Sequence, residues 1–253
     1  MESRSHHSAP HPEAPRTNAL GQPVGAAVPD WTPRAFPARE SMQGRTCRLE
    51  PIDLARHADD LFEAFAADTE GGMWTYLAYG PFATPEAYRA WLGEISSQRD
   101  PQFYAIIDEV SGKAVGQASF LRIDPANGVI EVGHLAYSPA LQRTTASTEA
   151  MHLMMRRAFE EYGYRRYEWK CDSLNDPSWS AAERLGFTFE GIFRQAVVMK
   201  GRNRDTTWLS ITDAEWPALR DAFEQWLSPS NFGEDKRQVR SLLDFQRESG
   251  ARG

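Results

Sequence analysis

Cysteine is almost missing from this chain: Cys47 and Cys171 are the only two in 253 residues. They are too few and too far apart for a disulfide framework or a cysteine-ligated metal centre, and free buried thiols are the expectation. Long apolar runs are missing as well. Nothing approaches the ~18 uninterrupted apolar residues of a spanning helix, and the N-terminus lacks the apolar core of a secretory signal, so no membrane association and a cytoplasmic location are expected. An excess of basic residues is lacking too: 28 Lys and Arg stand against 35 Asp and Glu, a formal net charge of -7. That balance excludes a protein whose chief partner is a nucleic-acid backbone, which needs a basic face, and better suits a cationic partner such as an amine or an amino terminus. No internal repeat is found. What is present is ordinary for a globular protein, 41% hydrophobic and 25% charged, and long enough for one sizeable core or two small ones.

Proline is concentrated at the start, where Pro10, Pro12, Pro15, Pro23, Pro29, Pro33 and Pro37 interrupt a stretch with neither helical nor strand periodicity. Residues 1–41 are therefore expected to be a disordered tail, in which only Trp31 and Phe36 offer anything to dock. His6, His7 and His11 read as incidental, and no metal is expected. Residues 45–51 read as a first strand, and Asp53 caps a helix with Leu54, Ala58, Leu61 and Phe65 on one face. Residues 71–82 are aromatic, aperiodic and bounded by glycines and a proline, hence a loop. Thr84 and Pro85 then open a second helix carrying Tyr88, Trp91, Leu92 and Ile95 on one face. Strands over residues 102–109 and 114–123 meet at Ser111-Gly112, and Asn127-Gly128 leads into a third.

The organising stretch is residues 128–159. An apolar strand (Val129, Ile130, Val132, Leu135, Tyr137) feeds a polar turn, residues 142–148. A helix follows with Met151, Met154, Met155, Ala158 and Phe159 at the spacing of one buried face, and Gly163 as its cap. With no acidic capping residue before Glu149, the first turn of that helix leaves backbone N–H groups and the positive dipole end to hold an anion. Farther on, residues 167–172 form a strand, residues 175–187 a short helix, and residues 187–200 and 206–211 a hairpin. Thr212 to Glu215 spell a capping box before a last helix with Trp216, Leu219, Phe223 and Leu227. Residues 229–253 read as a C-terminal tail with at most a short helix.

The turn Gln142-Arg143-Thr144-Thr145-Ala146-Ser147 resembles the Q/R-x-x-G-x-G/A turn of the GNAT acetyltransferase superfamily, with hydroxyl residues at both glycine places. Asn175, Ser178 and Arg184-Leu185-Gly186-Phe187 resemble the same superfamily's N-x-x-S and K/R-L-G-F signature at the right separation. Together with residues 201–205 ahead of Trp208 and Ser210, the pattern is similar to the ribosomal-protein N-terminal acetyltransferases of the RimJ/RimL type, over residues 45–228. The resemblance implies one α/β domain, residues 42–228, whose mostly antiparallel central sheet is flanked by helices. It implies acetyl-CoA as co-substrate and transfer to a small-molecule amine or a protein N-terminus, by a monomer or homodimer. An alternative is a non-catalytic CoA-binding or regulatory domain, motivated by the replaced glycines and by Ala182 standing where many members carry a tyrosine acid. A remoter one is an interaction protein with no ligand.

The resemblance also names a site. Gln142, Arg143, Thr144, Thr145, Ala146, Ser147 and Thr148 would take the pyrophosphate. The backbone of Leu135, Ala136 and Tyr137 would pair with pantetheine and supply an oxyanion donor, and Asn175 would orient the same arm. Glu131 is the first candidate for general base, acting directly or through water, against a strand-edge salt bridge. His134 is the second, provided a bulge turns it onto the same face. Ser178 is the candidate acid toward the leaving thiolate, with helix capping as its other role. Trp74, Tyr76 and Tyr79 are expected to form an aromatic wall for the acceptor, or else simply to cover the sheet edge.

Overall fold

The computed structural model describes residues 16–252; His6, His7 and His11 lie outside them. Two short strands, β1 (Arg16–Thr17) and β2 (Pro23–Val24), pair as an exposed ribbon. An eight-stranded sheet follows, built from β3 (Met42–Gln43), β4 (Cys47–Pro51), β5 (Gln102–Asp108), β6 (Ala114–Asp124), β7 (Val129–Tyr137), β8 (Arg166–Asp172), β9 (Thr188–Met199) and β10 (Arg202–Thr212). Its spatial order is β3-β4-β5-β6-β7-β8-β10-β9. All neighbours run antiparallel except β7 and β8, which are parallel. A parallel pair needs a crossover. The helix α3 (Thr145–Arg156), extended by a π turn over Arg157–Glu161, supplies it.

Two cores follow from strand alternation. Tyr104, Ile106, Phe120, Ile130, Val132, Tyr167 and Trp169 point to the side covered by α3, α4 (Asp176–Arg184) and α5 (Trp216–Leu227). Met151, Met154 and Met155 of α3 are at most 2% exposed there. Each such side chain contributes roughly 1.5–3 kcal/mol of burial, enough to fix the helix on the sheet. The opposite face is covered only in part: α1 (Leu54–Ala66) and α2 (Pro85–Ser96) bury Leu61, Phe65, Tyr88 and Leu92 against Ala105 and Ile107 of β5, Ala114 of β6 and Ala136 of β7. Asp53 and Thr84 cap these helices as expected. At α5 the helix starts later than the expected capping box, at Trp216. The Glu215 carboxylate instead accepts from the Thr212 N–H and hydroxyl.

Both ends of the chain are drawn into the domain further than their composition suggests. From Trp31 to Ser41 the chain docks across the loops at one end of the sheet. The Trp31 indole donates to Ala126 O, Arg34 to Gly163 O, Gln102 to Pro37 O and Arg157 to Ser41 O. The tail expected to reach residue 41 is thus anchored from Trp31 onward. At the other end, α6 (Leu242–Glu248) carries a Ser241/Asp244 capping box and buries Leu242 and Phe245 in the α3-side core. The short helix expected after residue 228 is thus α6, and it packs on the domain. No helix among the described residues is long and apolar enough to cross a membrane.

Candidate active site

The parallel pair opens in the middle of the sheet. β7 and β8 are in register from Val129 with Arg166 to Val132 with Trp169. Beyond that point residues 133–137 of β7 and 170–172 of β8 no longer pair with each other. On its other side β7 still pairs with β6, but two steps of β6, Gln117 to Ser119, span three of β7, Gly133 to Ala136. The extra residue is absorbed at His134, whose φ is +52. This bulge drives the strands apart and leaves the β7 edge facing the gap without a partner strand.

The same bulge decides where His134 points. Ile130 and Val132 face the α3-side core, so Glu131 faces the opposite side. His134, three residues on, is turned to that side too: its ring stacks on Tyr79 at 5.7 Å and lies 4.9 Å from Phe103. Burial, with Arg122 nearby, pushes its pKa down to about 4, so the imidazole is neutral at physiological pH. The condition attached to His134 by the sequence is met by geometry.

Glu131 is 3% exposed and its oxygens are taken. The Arg122 guanidinium donates to both at 2.7 Å, and Lys170 Nζ lies 2.8 Å from one of them. The register sets Glu131 opposite Glu168, two carboxylates across a parallel pair. Lys170 resolves the repulsion by standing 2.8 Å from each. Its ammonium also sits 3.6 Å over the Trp208 ring, which Phe193 stacks upon. Arg166 continues the row, bridging Glu168 at 2.7 Å to Glu190 at 2.5 Å. Glu190 is held below the usual carboxylate range chiefly by that guanidinium.

At the end of β7, Thr144 caps α3 by accepting from Ser147 N, and Arg143 takes the left-handed conformation at φ +59. Thr145 and Ala146 occupy the first two helical positions, where a backbone N–H has no intrahelical acceptor. The side chains divide. Gln142 folds back onto Tyr137 O, Ser147 Oγ onto Thr144 O, and buried Thr148 accepts from Arg184. The Ala146 carbonyl receives the Cys47 thiol. Arg143 is exposed at the turn. The hydroxyl of Tyr137 is turned into the α3-side core near Cys47 and Tyr167. An unpaired strand edge, orphan helix N–H groups and a cation fit a ligand with amides at one end and phosphates at the other, the donor and acceptor pattern of acetyl-CoA.

Across the gap, Asn175 caps α4 by accepting from Ser178 N. The Ser178 hydroxyl accepts from Trp169 Nε1 at 3.1 Å, which leaves its own hydrogen to donate. Cys171, also beside Ser178, is a buried thiol pushed up to about 11 by desolvation. In the aromatic loop, Trp74 turns inward, edge-on to Phe65 and Phe82. Tyr76 reaches across to the β8–α4 turn, its hydroxyl donating to Leu174 O at 3.0 Å. Tyr79 lies between Trp91 at 4.1 Å and His134. Of the three, Tyr79 faces the bulge directly.

Three participants escaped the reading of the sequence. Gln117, fully buried, links the Tyr79 and Tyr88 hydroxyls. Lys170 was legible in principle: it is on the Glu168 face of its strand by alternation, but its pairing to Glu131 needs the β7–β8 register. Lys200, at the β9–β10 turn, gave no signal.

Residues 47–188 match the family model described as acetyltransferase (GNAT) domain. A crystal structure of a GCN5-related N-acetyltransferase from Brucella melitensis is 48% identical, covering 86% of this chain and 99% of that one, with a TM-score of 0.85. The fold is also shared with RimL, the ribosomal L7/L12 α-N-protein acetyltransferase solved in complex with coenzyme A, at 21% identity over 67% of this chain and 95% of that one, TM-score 0.57. A Salmonella typhimurium acetyl transferase that modifies the N-terminal serine of the 50S ribosomal subunit protein L7/L12 is likewise 21% identical, over 68% and 99%, TM-score 0.59. The chain belongs to the GNAT acetyltransferase family, whose members transfer an acetyl group to an amine.

Proposed function

We propose that the protein is an acetyl-CoA-dependent N-acetyltransferase whose acceptor is a weakly basic primary amine, above all the α-amino group of a protein N-terminus. One observation carries this reading: the way in which the two titratable groups turned to the acceptor side of the open strand pair, His134 and Glu131, are held. The first has a pKa of about 4, and the second has its oxygens held by Arg122 and Lys170. A lysine amine, pKa ~10.4, is only about a thousandth neutral at pH 7.4, whereas an α-amine near ~8 is about a fifth neutral. A site without a strong base suits the second. The acceptors of the two RimL-type proteins that share the fold, protein N-termini, support the same class.

In this reading acetyl-CoA supplies the activated acyl group as a thioester. Leu135, Ala136 and Tyr137 offer backbone N–H and C=O groups to its amides as a neighbouring strand would, and an N–H among them polarises the thioester carbonyl. The N–H groups of Thr145 and Ala146, with Arg143, hold the phosphates. Glu131 contributes a fixed negative charge beside the amine, whose proton goes to water. His134 and Tyr79 frame its approach, and the Ser178 hydroxyl gives a hydrogen bond to the departing sulfur. The test is thiol release from acetyl-CoA with three acceptors: a peptide with a free N-terminus and no lysine, an N-blocked peptide with one lysine, and a polyamine. Turnover confined to the first is expected, and preference for either of the others at pH 7.4 overturns the reading.

A further inference from the structure

The loop carrying Trp74, Tyr76 and Tyr79 is held by a cation to which the chemistry above gives no role. β9 and β10 are joined by the two-residue turn Lys200-Gly201, closed by the Met199 to Arg202 pair. Both turn residues have positive φ, +49 and +72, the geometry of a tight hairpin, and glycine relieves the second position. The Lys200 ammonium extends from this tip into the loop. It donates to the carbonyls of Trp74 at 2.8 Å, Tyr79 at 3.1 Å and Gly80 at 2.8 Å. All three ammonium hydrogens are thereby used. No carboxylate among the described residues is paired with it, and partial burial beside Arg202 lowers its pKa. Arg202 adds a bond to Thr75 O at 3.1 Å.

A lysine on an exposed turn ordinarily stays solvated, since ordering its long side chain sacrifices rotamer freedom. Here it is committed to three backbone carbonyls of one loop. That loop crosses the open end of the strand pair: Tyr76 reaches Leu174 on the β8 side, while Tyr79 stacks on His134 of the β7 bulge.

We propose that Lys200 is a positioning residue for the acceptor: the hairpin tip latches the loop of residues 72–82 across the opening, so that Tyr79 stays against His134 where the amine arrives. The positioning role rests on the acetyl-transfer reading above; the latch itself does not. Since most of β9 is exposed and Lys200 bonds only to this loop, replacing it leaves both cores intact.

The experiment compares wild type with Lys200→Met, which keeps length and removes the donors, and Lys200→Arg, which restores charge and donors. Two readouts are taken: amide hydrogen exchange over residues 72–82 without ligand, and KM for amine and for acetyl-CoA separately. Lys200→Met is expected to speed exchange in the loop by about tenfold or more and to raise the amine KM by roughly three- to tenfold. The acetyl-CoA KM stays within about twofold, and Lys200→Arg recovers part of both losses. Unchanged exchange overturns the latch whatever the activity. Faster exchange with an unchanged amine KM, or an equal rise in both KM values, overturns the positioning role. A wild-type protein that acetylates no amine sinks the acetyl-transfer reading and the positioning role with it, while exchange still reports on the latch by itself.

Discussion

Glu131→Gln separates a carboxylate that takes protons from one that balances charge. The row on the partly covered sheet face sets three cations, Arg122, Lys170 and Arg166, against three carboxylates, Glu131, Glu168 and Glu190. Removing one negative charge leaves Lys170, 7% exposed, with Glu168 alone, and Glu168 is already shared with Arg166. Deleting one partner of a buried pair costs about 3–5 kcal/mol. The Arg122 end, 61% exposed, adds little. At roughly 2–4 °C per kcal/mol for a chain of this size, the melting temperature should fall by about 6–20 °C. The double variant Glu131→Gln/Lys170→Met removes both charges and should recover much of the loss. Well below the transition, kcat/KM for a peptide α-amine should stay within about tenfold of wild type, because the acceptor is already about a fifth neutral at pH 7.4. Thermal melts and thiol-release kinetics over pH 6 to 9 on the same preparations test both halves. A variant that melts like wild type yet loses roughly a hundredfold in kcat/KM on the α-amine refutes this reasoning and makes Glu131 the general base.

Three further expectations rest on separate contacts. Ser178→Ala should lower kcat by roughly tenfold with little change in either KM, and should also destabilise the fold by about 1–3 kcal/mol because Trp169 Nε1 loses its acceptor; wild-type kcat in that variant would confine Ser178 to the capping network. Arg143→Ala should raise the KM for acetyl-CoA with kcat nearly unchanged, since a phosphate contact far from the carbonyl binds ground and transition states alike; an unchanged KM removes Arg143 from the site. His134 and His152 are held neutral with pKa values of about 4 by burial, against ~6.5 in an unfolded chain. Between those values the unfolded chain binds more protons, so stability falls as pH drops from ~6.5 toward 4, by roughly 2 kcal/mol per histidine at pH 5. Urea unfolding at pH 7 and pH 5 measures this, and His152→Phe should reduce the difference by about 2 kcal/mol.

The fold was legible because its elements obey local rules: two capped amphipathic helices, a meander with Gly112 and Gly128 at its turns, and a methionine-faced helix after an apolar strand. What stayed hidden depends on register and on long-range docking. That Glu131 faces Glu168, and so needs Lys170, follows from which residue of β7 meets which residue of β8, and alternation within one strand cannot supply that. His134 was placed only conditionally for the same reason, since a one-residue bulge reverses a side chain and leaves no mark in composition. The ends of the chain misled by polarity. Residues 31–41 are interrupted by Pro33 and Pro37 and residues 229–253 are rich in charge, yet Trp31, Leu242 and Phe245 find surfaces built by distant segments.

The turn proposed to hold the phosphates shows how a motif can lose its letters and keep its geometry. A glycine is required where φ is positive or where a Cβ would collide. In this turn the left-handed residue is Arg143, whereas Thr145 and Ser147, at the two glycine places, begin a right-handed helix that any residue can enter. A hydroxyl at such a place can donate to a phosphate. Ser147 instead bonds to Thr144 O, Thr144 closes the cap, and Thr148 lies under Arg184. The Thr144, Ser147 and Thr148 side chains thus stiffen the turn, and the anion site proposed above rests on the Thr145 and Ala146 backbone with the Arg143 cation. Such a site is made of groups that every sequence possesses, held open by a cap and a bulge, which is why a strict reading of the glycine pattern undervalues it.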